Sequence, residues 1–329
     1  AAVAGVLWML LPRGFPARWI GAAGLLPMFL ILPPSPADGD LKLTVLDVGQ
    51  GLAVVAQTRN HALVYDTGPV FGPQTDSGSR IVVPYLRASG VRALAGMVVS
   101  HSDSDHSGGA QSVLQAVPVG WLLSSLPDAH PLLAQAPAQG RCEAGARWRW
   151  DGVDFEMLHP APASYARDKM RTNDRSCVLR ISTAGATVLL TADIEARSER
   201  ELLGAAYDKL PAQVLLMPHH GSRTSSSRAF LERVNPQIAL VAAGYRNRYG
   251  HPKDEVLDRY RALGSRIYRT DLDGALLLAI GSDGAIGVRR YRALHRRYWH
   301  AAPANPDLLD DERLSLLEPS PLRLVGAAP

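Results

Sequence analysis

The chain has 329 residues, of which 47% are hydrophobic and 20% are charged. This composition excludes an intrinsically disordered chain and leaves room for one large domain with appendages or for two smaller domains. The formal net charge of +4 is compatible with a polyanionic partner but does not require one.

Two apolar runs, at residues 1–12 and 19–32, flank a short turn that contains Arg13 and Arg18. The pattern predicts two short membrane segments joined by a basic loop, although each is shorter than the about 20 residues of a full span. A buried apolar hairpin is the alternative. The positive-inside rule would place the loop in the cytoplasm and the chain after residue 36 on the periplasmic side of the inner membrane. We therefore expect residues 1–36 to be the C-terminal end of a membrane domain, in a chain cut from a longer protein.

From residue 41 onwards the chain shows the pattern of a mixed α/β protein. Strands are predicted at 41–47, 52–57, 61–66, 93–100, 214–218, 238–243 and within 275–290, with hairpins at 148–160 and 177–193. Helices are predicted at 81–90, 109–117, 196–204, 226–234 and 252–263. We expect one domain over 40–290, followed over 291–329 by a basic segment and a loosely ordered tail.

The strongest functional signal is the loop that follows the strand at 93–100. His101, Asp103, Asp105 and His106 fall close together there, with serines between them. Imidazole and carboxylate ligands together suit zinc, manganese or iron, and carboxylates so close would repel one another without a cation. The alternative is a polar loop that caps the following helix, but such a cap requires neither two histidines nor two aspartates.

Three further strands end in residues that can bind metals. Asp66 ends one strand, Asp193 ends a second, and the pair His219 and His220 ends a third. Each has an ordinary explanation as a turn residue, a helix N-cap or a buried histidine. Together they predict a polar site at the ends of several strands.

The motifs resemble those of the metallo-β-lactamase superfamily. The segment 101–106 resembles its H-x-H-x-D-H signature, Asp66 its first motif, Asp193 its bridging aspartate, and His220 or the neighbouring His219 its last histidine. The resemblance implies an αββα four-layer sandwich of the α/β (α+β) class, which the short apolar segments precede.

Two departures from the superfamily pattern bear on the metal. Asp103 stands where most members have histidine, and N-D-R-S at 173–176 stands where the third motif would supply another. The site is richer in oxygen as a result, which shifts the expected metal from zinc towards manganese or magnesium.

The wider set of motifs looks like the C-terminal domain of the ComEC family of competence membrane proteins, over residues 1–290. The resemblance implies two divalent cations, with manganese favoured and zinc or magnesium possible, and no small organic cofactor. It also implies that DNA, the membrane and the rest of the DNA-uptake channel are partners. The implied activity is metal-dependent cleavage of DNA phosphodiester bonds in the strand that is not transported.

Two other functions stay open on the sequence. The domain could be a non-catalytic DNA-binding or gating module of the uptake channel whose metal site has decayed. It could also be a metallo-hydrolase of another bond, such as a lactone, a thioester or a β-lactam.

The resemblance assigns roles residue by residue. The expected metal ligands are His101, Asp103, Asp105, His106, Asp193 and His220, with Asp193 as the bridge. The expected catalytic residues are Asp66, which would orient a histidine or the loop, Asp105, Asn173 and His251.

Several of these residues are expected to act on the substrate. His101 and Asp103 would hold one metal, with help from Asn173 or Ser176. His251 would be an acid for the leaving oxygen, or else an ordinary surface histidine. The expected nucleic-acid contacts are Ser222, Arg223, Arg246 and Arg248.

The two cysteines, Cys142 and Cys177, lack the C-x-x-C spacing of a cysteine zinc site. Their number leaves two free thiols and one disulfide equally open, and the expected periplasmic location favours the disulfide. The disulfide would close a loop of about 35 residues, stabilise the fold by roughly 3 kcal/mol and tether the loop that carries Asn173.

Overall fold

The structure is a computed structural model that describes residues 1–30, 33–167 and 169–298. Its strands are β1 (Leu41–Val45), β2 (Ala53–Gln57), β3 (Ala62–Thr67), β4 (Val70–Gly72), β5 (Thr75–Asp76), β6 (Gly96–Val99), β7 (Leu122–Ser124), β8 (Gln139–Arg141), β9 (Arg147–Trp150), β10 (Val153–His159), β11 (Val178–Ser182), β12 (Thr187–Leu190), β13 (Val214–Leu216), β14 (Ile238–Val241), β15 (Arg266–Arg269), β16 (Leu276–Ile280) and β17 (Ile286–Arg290). Its α-helices are α1 (Ala2–Met9), α2 (Leu26–Leu30), α3 (Val83–Ala88), α4 (Ser104–Ser107), α5 (Ala110–Ala116), α6 (Ala196–Ala205), α7 (Arg228–Val234), α8 (Asp254–Ala262), α9 (Thr270–Asp273) and α10 (Tyr291–Leu294).

Two sheets form the centre of the molecule. The first has the strand order β17-β16-β1-β2-β3-β6-β7-β8, and the second has the order β15-β14-β13-β12-β11-β10-β9. In the first sheet β3 and β6 are parallel neighbours, and in the second β12 and β13 are parallel neighbours. The carboxyl ends of each pair therefore lie at the same edge of their sheet.

Three apolar clusters hold four layers together. The central cluster joins the inner faces of both sheets, with side chains such as Leu43 and Phe155. A second cluster packs α3 and α5 on the outer face of the first sheet, and a third packs α6, α7 and α8 on the outer face of the second. Both outer faces are covered because β2, β3 and β12 carry apolar side chains on both of their sides. The predicted αββα sandwich is confirmed.

The two predicted hairpins are present in the second sheet. Asp151 and Gly152 join β9 to β10, and both have positive φ (47° and 81°), as a tight turn between twisted strands requires. The structure also contains the disulfide between Cys142 and Cys177, whose Cα atoms lie 5.7 Å apart and whose side chains are fully buried. It links the end of the first sheet to the segment that enters β11.

The N-terminal segment is a short hairpin. Helix α1 packs through Gly5 against a 3-10 helix, Arg18–Leu25, at points where a Cβ atom would collide with backbone. The Arg18 side chain donates a hydrogen bond to the carbonyl oxygen of Met9 (2.9 Å). Among the described residues, no helix has the length and apolar character needed to cross a bilayer. Residues 31 and 32 of the second apolar run, and 299–329 of the expected tail, lie outside the described residues.

Candidate metal centre

The ends of four strands meet at one edge of the sandwich. Asp66 lies at the end of β3, and the loop 101–106 follows β6 in the same sheet. From the other sheet, Asp193 follows β12 and His220 follows β13. The parallel pairing within each sheet and the stacking of the two sheets bring the four segments into contact.

The ligand atoms of these segments converge in two overlapping groups. His101, His106 and Asp193 form one group, and Asp105, His106 and His220 form the other, with the atoms of each group within 4.8 Å of one another. Asp193 Oδ1 lies 3.1 Å from His106 Nε2 and 3.5 Å from His220 Nε2. Asp105 Oδ2 lies 3.5 Å from His220 Nε2.

Hydrogen bonds at the opposite ring nitrogen fix how two of the histidines face the centre. His220 Nδ1 donates to the carbonyl oxygen of Ala242 (2.7 Å), and His106 Nδ1 donates to Asp66 Oδ2 (2.8 Å). When both rings are neutral, the proton is therefore on Nδ1 and the lone pair of each Nε2 atom points inwards. The two Nε2 atoms lie only 3.3 Å apart. Two lone pairs at that distance repel each other unless a cation or a proton lies between them.

Asp66 also orients His101, through Ser100. The backbone N–H and the hydroxyl of Ser100 both donate to Asp66, at 2.7 and 2.6 Å. Because the hydroxyl has given its proton to Asp66, it accepts from His101 Nδ1 at 2.9 Å, and Ser176 Oγ lies 3.3 Å from the same nitrogen. Asp66 therefore sets the tautomer of two histidines from a fully buried position.

The centre has the character expected of a divalent cation site. His101 Nε2 and Asp193 Oδ1 are buried and have no hydrogen-bond partner among the described residues. Unpartnered buried polar atoms are costly and need an explanation. Three inward imidazole lone pairs beside the carboxylates of Asp193 and Asp105 form a mixed nitrogen and oxygen donor set that fits such a cation.

The pKa shifts of the cluster are also those of a site with closely packed charges. Burial opposes a charge on His106, but the carboxylates of Asp193 and Asp66 raise its pKa well above the ordinary value. Burial also opposes ionisation of Asp193 and Asp105, yet the neighbouring imidazoles hold the pKa of Asp193 well below the usual range and lower the pKa of Asp105 to about 2. Burial and the charge on His106 lower the pKa of His101 to about 4. In the metal-free cluster the proton on His106 therefore supplies the positive charge that keeps these carboxylates ionised, and a cation bound there would take its place.

The backbone around the centre is strained. Asp66, Ala192, His219 and His220 all have φ between 44° and 57°, in the left-handed region that side chains disfavour. Such residues cost about 1–3 kcal/mol each and cluster at functional sites. Four of them at one edge of the sandwich indicate that this edge is shaped for binding.

The other predicted ligands and catalytic residues lie around the centre. Asp103 is at the rim, with a side chain that is 43% exposed and an Oδ2 atom 3.7 Å from His101 Nε2. Asn173 lies on a 3-10 turn, where its side chain accepts a hydrogen bond from Thr172 (3.4 Å), whereas Ser176 contacts His101. The role of Asn173 stays a prediction.

His251 lies beside the centre in an environment that disfavours an acid. Burial and the neighbouring His220 and His219 lower the pKa of His251 to about 4. The role of His251 as an acid for the leaving oxygen stays a prediction. Its ring packs edge-on against His219 at a centroid distance of 5.8 Å.

The predicted nucleic-acid contacts lie near the same edge. Ser222 is buried and its hydroxyl contacts that of Thr224 (3.1 Å). Arg223 is exposed and pairs with Glu255 (2.7 Å). Arg246 and Arg248 are exposed on the loop between β14 and α8, and their contact with nucleic acid stays a prediction.

The structure distinguishes the two candidate histidines of the last motif, and it adds Ser100 and Glu195, to which the sequence assigned no role. His220 enters the cluster, whereas His219 lies at its edge, with Nε2 3.6 Å from Asp193 and Nδ1 3.4 Å from Glu195. Ser100 links Asp66 to His101. The sequence offered one signal for this role, which is the position of the serine between a buried strand and a predicted ligand histidine. Glu195 lies two residues after Asp193 but matches no ligand pattern.

Residues 46–245 match the family described as the metallo-beta-lactamase superfamily. The chain belongs to this superfamily. The match covers the first-motif aspartate, the histidine and aspartate loop, Asp193 and the last histidines, which are the segments that form the centre.

The chain is also similar in sequence to longer bacterial proteins. The chain is 39% identical over 302 residues to Competence protein ComA of Neisseria gonorrhoeae, which covers 92% of this chain and 41% of that protein. It is 32% identical over 244 residues to Recombination protein 2 of Haemophilus influenzae, covering 74% of this chain and 29% of that protein. This chain therefore spans less than half the length of either relative. A solved metallo hydrolase from Ignicoccus hospitalis is 15% identical, with a TM-score of 0.48, and covers 76% of this chain and 99% of its own.

Proposed function

We propose that the chain is the C-terminal domain of a ComEC-type competence protein and cleaves DNA phosphodiester bonds with two divalent cations, manganese being favoured. The observation that carries this proposal is the convergence of three inward Nε2 atoms on the carboxylates of Asp193 and Asp105, with Asp66 fixing two of the rings. The convergence of these donor atoms supports a hydrolase over a decayed binding module.

Each residue has a distinct part in the proposed centre. His101 and Asp103 would hold one cation, and Asp105, His106 and His220 the other, with Asp193 between them. Cations held there supply Lewis-acid polarisation of phosphoryl oxygens and activate water near neutral pH. Asp66 keeps the histidine lone pairs directed inwards and does not touch the substrate.

DNA is proposed as the substrate because of the surface and the relatives. Arg246 and Arg248 carry exposed positive charge close to the centre, where it would attract a phosphate backbone. The gonococcal relative is named a competence protein. We therefore propose that the enzyme degrades the strand that is not transported during DNA uptake.

The same proposal places the domain on the periplasmic side of the inner membrane, attached to the rest of the uptake channel. The Cys142–Cys177 disulfide suits an oxidising compartment. Exposed apolar side chains in the N-terminal hairpin, such as Trp8 and Trp19, suit contact with a membrane or a membrane domain.

The test is cleavage of labelled single- and double-stranded DNA by the 329-residue chain with manganese, zinc or EDTA. Cleavage should need a metal and should disappear in Asp193→Ala and in His101→Ala. Asp128→Ala, in an exposed aspartate that pairs with Arg141, is the control that should cleave normally. Retained metal with no cleavage of DNA would assign the site to another bond, and no bound metal would favour the non-catalytic module.

A further inference from the structure

The loop between β14 and α8 exposes two tyrosines next to the metal centre. Tyr245 is 55% exposed and Tyr249 is 47% exposed, and the two arginines Arg246 and Arg248 lie between them. Large aromatic side chains that are left in water beside an active site indicate a binding surface.

The loop is held in place rather than loosely attached. The Asn247 side chain donates to the carbonyl oxygens of Gly244 (3.0 Å) and His251 (2.6 Å) and accepts from the His251 N–H (3.0 Å). The Gly244 N–H donates to the Gln50 side chain (3.2 Å), which ties the loop to the segment before β2. A rigid presentation of the rings lowers the entropy that is lost when a ligand binds.

The rings continue from the surface to the metal ligands. Tyr249 stacks on His251 with 5.8 Å between centroids and 24° between planes. His251 lies 5.8 Å from His219, and His219 lies 6.3 Å from the ligand His220. A row of neighbouring rings therefore leads from Tyr249 at the surface to the metal centre. A base bound on Tyr249 would lie at the outer end of this row.

Positive charge accompanies both tyrosines. The Arg246 guanidinium lies over the Tyr245 ring, 5.2 Å from its centroid, and that of Arg248 lies over the Tyr249 ring at 4.8 Å. A base that stacks on either ring would take the place of the guanidinium, which would then be free to pair with a phosphate. Aromatic faces combined with cations are how proteins bind single strands, because bases stack on the rings while the cations follow the phosphates. In a duplex the base faces are already stacked within the helix and cannot reach such a surface.

We propose that Tyr245 and Tyr249 form a base-stacking platform that binds unpaired nucleotides and leads a single DNA strand into the metal centre. This rests on the proposed function in its choice of DNA as the ligand, but it concerns binding and not cleavage. It makes the preferred substrate a single-stranded stretch or a frayed end.

The test measures binding by fluorescence anisotropy with the 329-residue chain and three probes: oligothymidylate, the same strand with abasic nucleotides, and a duplex of equal length. The wild-type chain should bind oligothymidylate about tenfold more tightly than the abasic strand, which has the same phosphates but cannot stack. The double variant Tyr245→Ala/Tyr249→Ala should lose this difference, and Tyr249→Trp should keep it.

Tyr207→Ala is the matched control, because Tyr207 is 53% exposed and has the Arg233 guanidinium 3.8 Å from its ring centroid, but lies in another part of the fold. It should bind like the wild type. Equal binding of the two single strands, tighter binding of the duplex, or an unchanged double variant would overturn the platform. Hydrolysis of methyl p-nitrophenyl phosphate by the wild-type chain, measured in parallel, separates the two proposals: base-dependent binding without hydrolysis contradicts the proposed function alone.

Discussion

Replacing Asp66 by asparagine tests how the centre is organised. Asparagine has nearly the same shape and tolerates the positive φ of this position (57°). Its amide oxygen can still accept from the Ser100 N–H, but its NH2 group would face the Ser100 hydroxyl and His106 Nδ1, both of which now donate to Asp66. His106 would have to move its proton to Nε2, and that nitrogen would no longer offer a lone pair to a cation.

The expected losses of metal affinity and of stability follow from the contacts that change. Loss of a group that orients a metal ligand lowers metal affinity about 10- to 100-fold, or roughly 1.4–2.8 kcal/mol. The Ser100 hydroxyl and His106 Nδ1 both lose a charged acceptor, and a hydrogen bond to a charged group contributes about 1.5–3 kcal/mol. We therefore expect weaker manganese binding together with a lower free energy of unfolding of the metal-free chain.

Calorimetric titration with manganese measures the first effect, and urea unfolding in EDTA measures the second. Asp151→Asn is the matched control. Asp151 also has positive φ (47°) and accepts from a histidine Nδ1, His61 (2.9 Å), and from a hydroxyl, Thr58 (2.6 Å). It should lose stability but bind manganese like the wild type.

Two results would contradict a role of Asp66 in orienting the metal-binding histidines. Manganese binding that is unchanged in Asp66→Asn would show that Asp66 does not set the tautomer of His106. An equal loss of affinity in Asp151→Asn would show that the effect comes from general destabilisation.

Three other sets of substitutions test a backbone contact, the disulfide and the metal preference. In Gly51→Ala the new Cβ would lie 2.3 Å from the Asp105 carbonyl oxygen, at a φ of 140°. The free energy of unfolding in urea should fall by roughly 2 kcal/mol or more, and an unchanged unfolding midpoint would contradict the close approach. Replacing Cys142 and Cys177 together by alanine should lower the free energy of unfolding by about 2–4 kcal/mol, and no difference from the oxidised wild type would show that packing alone holds the loop. Asp103→His should shift the metal preference towards zinc in competition titrations of zinc against manganese, because imidazole replaces a hard oxygen ligand. An unchanged ratio of the zinc and manganese affinities would remove residue 103 from the ligand set.

The sequence predicted the layers well because the long strands and helices are strongly patterned. The hairpin at Asp151 and Gly152 and the helix α6 are both where their patterns placed them. The short strands were not predicted: β8 (Gln139–Arg141) has no apolar side chain, and β7 has only three residues. Both depend on the neighbouring strand for their conformation, which a local pattern cannot reveal.

The same limit applies to the centre. The spacing of the motifs is enough to nominate the ligands, but the direction of each side chain is set by the backbone and by distant partners. The choice of His220 over His219 depends on two consecutive left-handed residues and on the carbonyl of Ala242, and the orientation of His101 depends on Ser100. The neutral state of His251 likewise depends on burial beside other histidines.

The proposed metal centre is tested most directly by a manganese titration of the metal-free 329-residue chain, in which bound metal and DNA cleavage are measured on the same samples. We expect two manganese ions to bind per chain, cleavage to rise as they bind, and Asp193→Ala to lose both properties. Cleavage that persists in EDTA, or a wild-type chain that binds no metal at this cluster, would contradict it.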